Sequence, residues 1–180
     1  EMMHAIGLGY DWFYHGLTPE QRKTIREGLW QHGLRLSYAA YMGLEGEGQQ
    51  GWRYVTNNWN FVCNGGSSLA AMAILDEMPE ECTEILHAGY QYIQIPVEHF
   101  EPDGAWWEGL AYWGYSMRYF LAYLRGLETA FGTDFGFVDS LKGTGFSMAG
   151  DFPVYLVSPL GGIFNFADSG SGGGGYSHWA

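Results

Sequence analysis

Apolar residues recur at the three-and-four spacing of an amphipathic helix along residues 1–132, and proline and glycine mark where the helices start and stop. Met3, Ile6, Tyr10 and Phe13 share one such face, which predicts a first helix over about residues 2–16. The connections between helical segments are short. The chain is therefore expected to be mainly α and built from antiparallel helical hairpins.

The second predicted helix has a strong start signal. Thr18 suits the N-cap, Pro19 the first helical position, and Gln21 the reciprocal hydrogen bond of a capping box. The apolar pattern predicts that this helix continues to about Met42. Residues 43–51 hold four glycines and are predicted to form a loop.

Three more helices are predicted before residue 132. Ser67 or Ser68 can cap a helix over residues 69–75. The acidic Pro79-Glu80-Glu81 suits the N-terminus of a helix that runs to about residue 95, just before a proline. The longest helix is predicted over residues 108–131, ending at Gly132.

The composition changes after residue 132, and this predicts a second region over residues 133–180. Apolar residues at 154–157 and 163–166 flank a Ser-Pro-Leu-Gly-Gly turn, which predicts a short β-hairpin. Residues 170–175 hold five glycines and are predicted to form a flexible loop. They lack the Lys-Ser/Thr ending of a phosphate-binding loop.

The charge balance restricts the partners. Twenty acidic and eight basic residues give a net charge of -12, with no basic stripe, so a nucleic-acid partner is not expected. No apolar run is long enough to predict a membrane span. The acidity also repels a polyanionic polysaccharide, so binding of a uronate has to depend on local hydrogen-bond donors.

No cofactor or metal is predicted. Cys63 and Cys82 do not define a disulfide framework and show no metal-ligand spacing, so both are expected to be buried thiols. Aromatic residues are abundant instead, at 18% of the chain with 8 Trp and 13 Tyr. This exceeds what the core of such a chain needs, and flat aromatic faces suit sugar rings.

Asparagines are concentrated around Trp59. Asn57, Asn58 and Asn60 can each donate from an amide, and the predicted helix that follows adds partial positive charge. A carboxylate or a sugar hydroxyl can be held by such a group. The alternative is that these asparagines cap helices and satisfy loop backbone.

A second polar and aromatic cluster opens the longest predicted helix, just after Trp106. Glu108, Tyr112, Tyr115 and Tyr119 are spaced by four, three and four residues and so share one face. Arg118 beside this face is expected to lower the pKa of a tyrosine, which can then exchange a proton with a substrate. The alternative is an aromatic stripe packed against a neighbouring helix.

Several separated motifs resemble, in the same order, the heparinase II/III-like polysaccharide lyases, including alginate and oligoalginate lyases. They are Ala5-Ile6-Gly7 through Tyr10-Asp11-Trp12, Asn58-Trp59-Asn60 with Cys63-Asn64-Gly65-Gly66, Pro102-Asp103-Gly104 with Glu108-Gly109 and Tyr112, Asp151-Phe152-Pro153, and Asn165-Phe166-Ala167-Asp168. The resemblance covers nearly the whole chain.

The resemblance implies an (α/α) toroid, usually followed by a β-sandwich domain, and cleavage of uronate-containing polysaccharides by β-elimination. Carried over by motif, Tyr112 is the Brønsted acid or base, and Asn58 neutralises the substrate carboxylate. The side chains expected to bind substrate are Asn57, Trp59, Asn60, Trp106, Glu108, Tyr115 and Arg118. The expected partner is an acidic polysaccharide or oligosaccharide, and the expected location is periplasmic or secreted.

Two departures from the family pattern matter. Many relatives have a histidine where this chain has Asn58, and a further catalytic histidine usually comes from a more C-terminal part of the fold. His178 lies in a glycine-rich tail and is not assigned that role. The chain is therefore expected to form about half of a toroid, to need the remainder of its own polypeptide, and to have little activity alone.

Two other functions fit the same residues. A glycoside hydrolase on a helical toroid needs two carboxyl groups across the scissile bond, and Asp103 and Glu108 are the available pair. A noncatalytic glycan-binding domain fits the unfavourable net charge. Release of an unsaturated uronate distinguishes the lyase from both.

Overall fold

The computed structural model describes residues 1–44 and 51–170 and is mainly helical, as predicted. The helices are α1 (Met2–Phe13), α2 (Pro19–Leu29), α3 (Arg35–Met42), α4 (Asn58–Ala73), α5 (Pro79–Tyr92), α6 (Leu110–Phe131), α7 (Phe137–Leu141) and α8 (Phe152–Leu156). Most of the predicted 43–51 loop, most of the 170–175 loop and His178 lie outside the described residues. No helix within residues 1–44 and 51–170 is long and apolar enough to cross a membrane.

Helices α2 and α3 form one continuous rod, and its predicted start and end are both confirmed. The Gln21 amide donates to Thr18 Oγ1 at 3.3 Å, and the Thr18 amide donates to Gln21 Oε1 at 2.9 Å, completing the capping box. A π-helical turn over Trp30–Leu34 joins the two helices. The rod ends at Met42, followed by Gly43 in the left-handed conformation of a C-cap.

Helix α4 begins eleven residues earlier than the predicted start at residue 69, so the predicted Ser67 or Ser68 cap is wrong. Asn57 is the N-cap, and its side chain accepts a hydrogen bond from the Trp59 amide at 3.2 Å. Ser67 and Ser68 are buried inside the helix. The run of glycines and serines is typical of a loop in sequence, but here it serves close packing between helices.

Small residues allow other helices to approach α4 closely. A Cβ atom on Gly7 of α1 would lie 2.8 Å from Ala70 Cα, and one on Gly65 would lie 3.1 Å from the Tyr119 carbonyl oxygen of α6. The first distance is shorter than real Cβ contacts, and the second would require the neighbouring backbone to shift by a few tenths of an ångström. Helix α4 is therefore the central helix of the fold.

Two hydrophobic clusters pack around this central helix. The larger one includes Phe61 of α4, Trp106, Leu110 and Phe120, all fully buried. The second is centred on Tyr10, Leu34, Ile74 and Ile85, and it joins the α1–α3 region to the C-terminal half of α4 and to α5.

Helices α4 and α6 run parallel to each other. Phe61 packs against Phe120 with ring centroids 5.0 Å apart, Gly65 contacts Tyr119, and Leu69 contacts Gly126. From Phe61 to Leu69 on α4, the contacts move from Phe120 to Gly126 on α6, so the two helices run in the same direction. Counting back from Gly65 and Tyr119 by seven residues, or about 10 Å of helix, places Asn58 level with the first turns of α6, where Tyr112 lies.

Helix α6 begins at Leu110 and not at the predicted Glu108. Gly109 has φ 87°, a conformation that favours glycine, and it turns the chain just before the helix. The Ala111 amide of the first helical turn donates to Ser169 Oγ at 2.9 Å. The predicted end at Phe131, with Gly132 as a left-handed C-cap, is confirmed.

The ends of two other helices differ from the predicted ones by a few residues. Helix α1 ends at Phe13 and continues as a 3₁₀ turn over Tyr14–Gly16. Helix α5 ends at Tyr92, before a 3₁₀ segment over Ile95–Phe100. Pro96 has no amide proton to extend the α-helical pattern, which explains the change of helix type.

The predicted β-hairpin is reduced to a single antiparallel bridge between Val157 and Ile163. The Phe164 amide donates to the Leu156 carbonyl at 2.9 Å beside it. Residues 154–156 belong to helix α8, so the first predicted strand is wrong there. Pro153 in the first turn favours the helix, and Phe152 and Ile163 are buried in the larger hydrophobic cluster.

Candidate functional site

The predicted site residues meet where the N-termini of α4 and α6 lie side by side. Asn58 is the first residue of α4 and is only 3% exposed. Trp59, the next residue, is 56% exposed and projects a ring from the same helix end. Helix N-termini carry partial positive charge, so two parallel ones favour an anion at this end of the protein.

A carboxylate does occupy the start of α4, and it belongs to Glu108. The Asn58 backbone amide donates to Glu108 Oε2 at 2.6 Å, and Asn58 Nδ2 donates to Glu108 Oε1 at 2.8 Å. The spacing predicts that Glu108 shares the Tyr112 face of α6, and this prediction is wrong because Glu108 lies before the helix. It precedes the Gly109 turn and binds across to α4.

Asn60 is fully buried, and its amide is used within the protein. Asn60 Nδ2 donates to the carbonyls of Arg53 and Val55, both at 3.0 Å, and Asn60 Oδ1 accepts from Asn64 Nδ2 at 2.9 Å. Both amide protons are thus engaged. The prediction that Asn60 binds substrate is therefore wrong. Its role is structural, because it holds residues 53–55 against α4.

The adjacent tryptophans Trp106 and Trp107 differ in environment. Trp106 is completely buried and stacks on Phe100 with ring centroids 4.6 Å apart. The prediction that Trp106 binds substrate is therefore wrong. Trp107 is 52% exposed, and its Nε1 donates to the Thr56 carbonyl at 3.4 Å. Trp107 is therefore the tryptophan that lies at the site, next to the N-cap of α4.

Tyr112, Tyr115 and Tyr119 do share one face of α6, as their spacing predicts. The rings of Tyr112 and Tyr115 lie 6.4 Å apart between centroids, and those of Tyr115 and Tyr119 lie 5.3 Å apart. The Tyr115 hydroxyl donates to Glu1 Oε1. The Tyr112 hydroxyl forms no hydrogen bond with another residue in the described part of the chain and is available for a ligand.

The expected effect of Arg118 is outweighed at two of these tyrosines. Burial and then the hydrogen bond to Glu1 raise the pKa of Tyr115 above its ordinary value. Burial also raises the pKa of Tyr119, although the Arg118 charge acts in the opposite direction. Arg118 itself is exposed and forms no ion pair with a described residue, so its guanidinium can meet a ligand.

His4 is a neighbour of this tyrosine face that the sequence pattern does not reveal. Its ring lies edge-on to Tyr119 with centroids 4.8 Å apart. Burial, followed by nearby positive charge that includes Arg118, lowers the pKa of His4, which favours the neutral ring. His4 is 115 positions before Tyr119, so only the packing of α1 beside α4 and α6 brings them together.

The thiols and acids do not form a metal site in the described ranges. No group of three or more His, Cys, Asp or Glu side chains there is placed to hold a metal ion. Cys82 is buried and Cys63 half-buried, and both are free. Burial raises the pKa of Cys63, and it raises the pKa of Cys82 to about 12, so both thiols stay protonated at neutral pH.

Comparison with known proteins finds no match for this chain, either among models of protein families or among curated proteins.

Proposed function

We propose that this chain is the helical part of a polysaccharide lyase that cleaves a uronate-containing polysaccharide by β-elimination. The observation that carries the proposal is that Asn58 and Tyr112 both lie in the first turn of their helices, α4 and α6, which pack side by side. The two residues come from motifs that lie far apart in the sequence. Their side chains supply an amide donor and a phenol at the same end of the fold.

The proposed reaction starts with the proton on C5 of the uronate. A base removes this proton, a C4–C5 double bond forms, and the bond from C4 to the glycosidic oxygen breaks. Asn58 donates an N–H to the substrate carboxylate and stabilises the negative charge that develops there. Tyr112 exchanges a proton, either taking it from C5 or giving it to the leaving oxygen.

The exposed aromatic rings provide a place for the sugar rings. Trp59 lies in the first turn of α4, Trp107 contacts Thr56 just before that helix, and each exposes about half of its side chain. Their flat apolar faces can stack on pyranose rings. Arg118 and the two helix N-termini supply the local positive charge that a uronate needs in a protein of net charge -12.

The helix arrangement also supports a toroid. Helix α5 follows α4 after a short connection and runs antiparallel to it. The contacts show this direction, since Ser68 packs against Gly89 and the later Ile74 shares a cluster with the earlier Ile85. Helix α6 then runs parallel to α4. Alternation of this kind is what a ring of helical hairpins requires, and the proposed remainder of the polypeptide would close it.

A glycoside hydrolase is less well supported by the same contacts. Both Glu108 oxygens accept hydrogen bonds from Asn58, so this carboxylate is not free to protonate a leaving group. Asp103, the other member of the pair, is exposed and accepts a bond from the Ala105 amide at 3.3 Å.

The test uses alginate, glucuronan and heparin-like polymers as substrates. Binding is measured by calorimetry on the 180-residue chain, and elimination by ultraviolet absorbance of the unsaturated product, on this chain and on any longer natural polypeptide that contains it. The proposal expects absorbance that increases with time and is lost in Tyr112→Phe. New reducing ends without absorbance would support the hydrolase, and binding without product in the longer polypeptide would support the glycan-binding domain.

A further inference from the structure

We propose that Glu108 is a positioning residue that fixes the orientation of the Asn58 side-chain amide. The importance of this orientation for catalysis rests on the proposed function, but the orientation itself follows from the contacts. Glu108 accepts from the Asn58 backbone amide at 2.6 Å and from Asn58 Nδ2 at 2.8 Å.

The chemistry of the two groups explains the fixed orientation. An ionised carboxylate only accepts hydrogen bonds, whereas an asparagine amide donates from nitrogen and accepts at oxygen. Glu108 therefore selects the arrangement with Nδ2 towards it and Oδ1 away from it. The opposite arrangement would bring Oδ1 against a carboxylate oxygen. The second N–H of Nδ2 is not used by Glu108, and its direction is set by the contact with Glu108.

Glu108 is itself held in place from both sides along the chain. Its neighbour Gly109 packs so closely that an added Cβ would lie 2.5 Å from Ser169 Oγ and 2.7 Å from the Phe166 carbonyl oxygen. On the other side, the Trp107 indole donates to the Thr56 carbonyl, just before α4. The backbone that carries Glu108 is thus tied to α4 and to residues 166–169.

The charge of Glu108 is compatible with a bound uronate nearby. Two N–H donors and the positive end of α4 offset the negative charge of Glu108. Asn58 can therefore present its remaining N–H to a second anion. A histidine at this position, or a rotated asparagine, would not present the same donor.

The test compares Glu108→Gln, Asn58→Asp and the double variant Asn58→Asp/Glu108→Gln. The first variant places a second amide against Asn58, which permits Asn58 to rotate so that its oxygen accepts from the new glutamine. The second places two carboxylates against each other. The double variant exchanges acid and amide, and its pair is complementary again.

The first readout is the nitrogen–proton NMR signal of the Asn58 side-chain amide, which needs no substrate. We expect one amide proton to be shifted downfield by the charged acceptor in the wild-type chain, and the shift to be lost in Glu108→Gln. Glu101→Gln is the matched control. Glu101 also accepts a backbone hydrogen bond, from the Gly145 amide at 2.7 Å, but does not contact Asn58.

The second readout is kcat/KM on the uronate polymer that the wild-type enzyme cleaves, in the longest native polypeptide. We expect a decrease of about tenfold or more in Glu108→Gln, mostly in kcat, and little change in Glu101→Gln. The double variant should recover the unfolding midpoint lost in Asn58→Asp, but not the activity. If Glu108→Gln fails to fold, Glu108→Asp replaces it: the shorter side chain keeps the charge but withdraws it from Asn58, so the same losses are expected in both readouts.

Three results would overturn the proposal: an unchanged Asn58 amide signal in Glu108→Gln, tighter uronate binding by that variant, or full activity of the double variant. Tighter binding would mean that Glu108 competes with substrate for Asn58. A wild-type protein that neither binds nor cleaves uronates would instead refute the proposed function. The NMR comparison would then still decide whether Glu108 orients Asn58.

Discussion

Tyr41 of α3 donates its hydroxyl proton to Asn64 Oδ1 of α4 at 2.7 Å, and both side chains are buried. Asn64 Nδ2 donates to Asn60 Oδ1, and Asn60 Nδ2 donates to the carbonyls of Arg53 and Val55. One polar network therefore joins α3, the segment before α4, and α4 itself. It satisfies buried amide groups that would otherwise destabilise the fold.

Replacement of Tyr41 by Phe should destabilise the protein by about 1 to 3 kcal/mol, because it removes the donor to the buried Asn64 oxygen. Urea unfolding measures the change. Tyr38→Phe is the matched control on the same helix, since the Tyr38 hydroxyl has no hydrogen-bond partner in the described part of the chain. Equal stability of the two variants would show that the Tyr41 bond contributes nothing.

Glu77→Gln should lower the free energy of unfolding by roughly 1.5 kcal/mol or more. Glu77 accepts from the Tyr10 hydroxyl at 2.7 Å and from Arg26 Nη1 at 2.9 Å, which joins α1 and α2 to the turn after α4. Glu27→Gln is the control, because its pair with Lys23 is exposed and 3.8 Å long. That variant should change stability by less than about 0.5 kcal/mol.

The neighbouring tryptophans should respond in opposite ways to truncation. Trp106→Ala removes a fully buried ring and should cost about 3 to 5 kcal/mol of stability. Trp107→Ala removes a ring that is 52% exposed, so it should lower the melting temperature much less than Trp106→Ala and should weaken uronate binding. Thermal unfolding and calorimetric titration measure the two effects, and the assignment of the rings fails if Trp107→Ala is the less stable variant.

Tyr112→Phe should reduce turnover of the active polypeptide roughly 100- to 10,000-fold, because it removes the proposed proton-transfer group. Tyr115→Phe is the comparison on the same helix face. The Tyr115 hydroxyl is already bound to Glu1 and burial raises its pKa, so its loss should have a smaller effect. If Tyr112→Phe keeps near-normal turnover, Tyr112 has no part in the mechanism.

Stability should fall steeply in alkali. Burial raises the pKa of Tyr10, Tyr41 and Tyr123 in the folded protein. In the unfolded chain these phenols ionise near their ordinary value of about 10. The unfolded state then binds fewer protons than the native state, so stability is full below about pH 10 and decreases as pH rises towards the folded pKa values.

Urea unfolding from about pH 8 to about pH 11 checks this slope. Tyr123→Phe should make the decrease shallower, since it removes one of the titrating groups. Its hydroxyl is buried without a partner in the described part of the chain, so the variant should lose little stability at neutral pH. A pH profile parallel to that of the wild type would contradict the prediction.

Local signals in the sequence predicted the features that depend on local chemistry. The capping box at Thr18, the glycine at the end of α6 and the shared face of Tyr112, Tyr115 and Tyr119 all follow from short-range spacing. The start of α4 could not be predicted in this way. Its glycines and serines are typical of a loop, and only contact with α1, α5 and α6 explains them inside a helix.

The side-chain contacts of the site depend on tertiary structure. Asn58 and Glu108 are fifty positions apart, so their spacing carries no periodic signal. Trp106 and Trp107 have the same chemistry, and only the tertiary packing on Phe61 and Phe100 shows which ring enters the core. The sequence thus identified the segments of the candidate site, but not which of their side chains are available to a ligand.

The π-helical turn at Trp30–Leu34 makes the α2–α3 rod tolerant of a change in length. A π turn holds one residue more than an α turn, so deletion of the exposed Gln31 would leave a regular α-helix with Leu29 and Tyr41 still on their original faces. Deletion of one residue elsewhere in the rod would rotate everything beyond it by about 100°. The chain can therefore lose one residue at this turn without repacking α3 against α4.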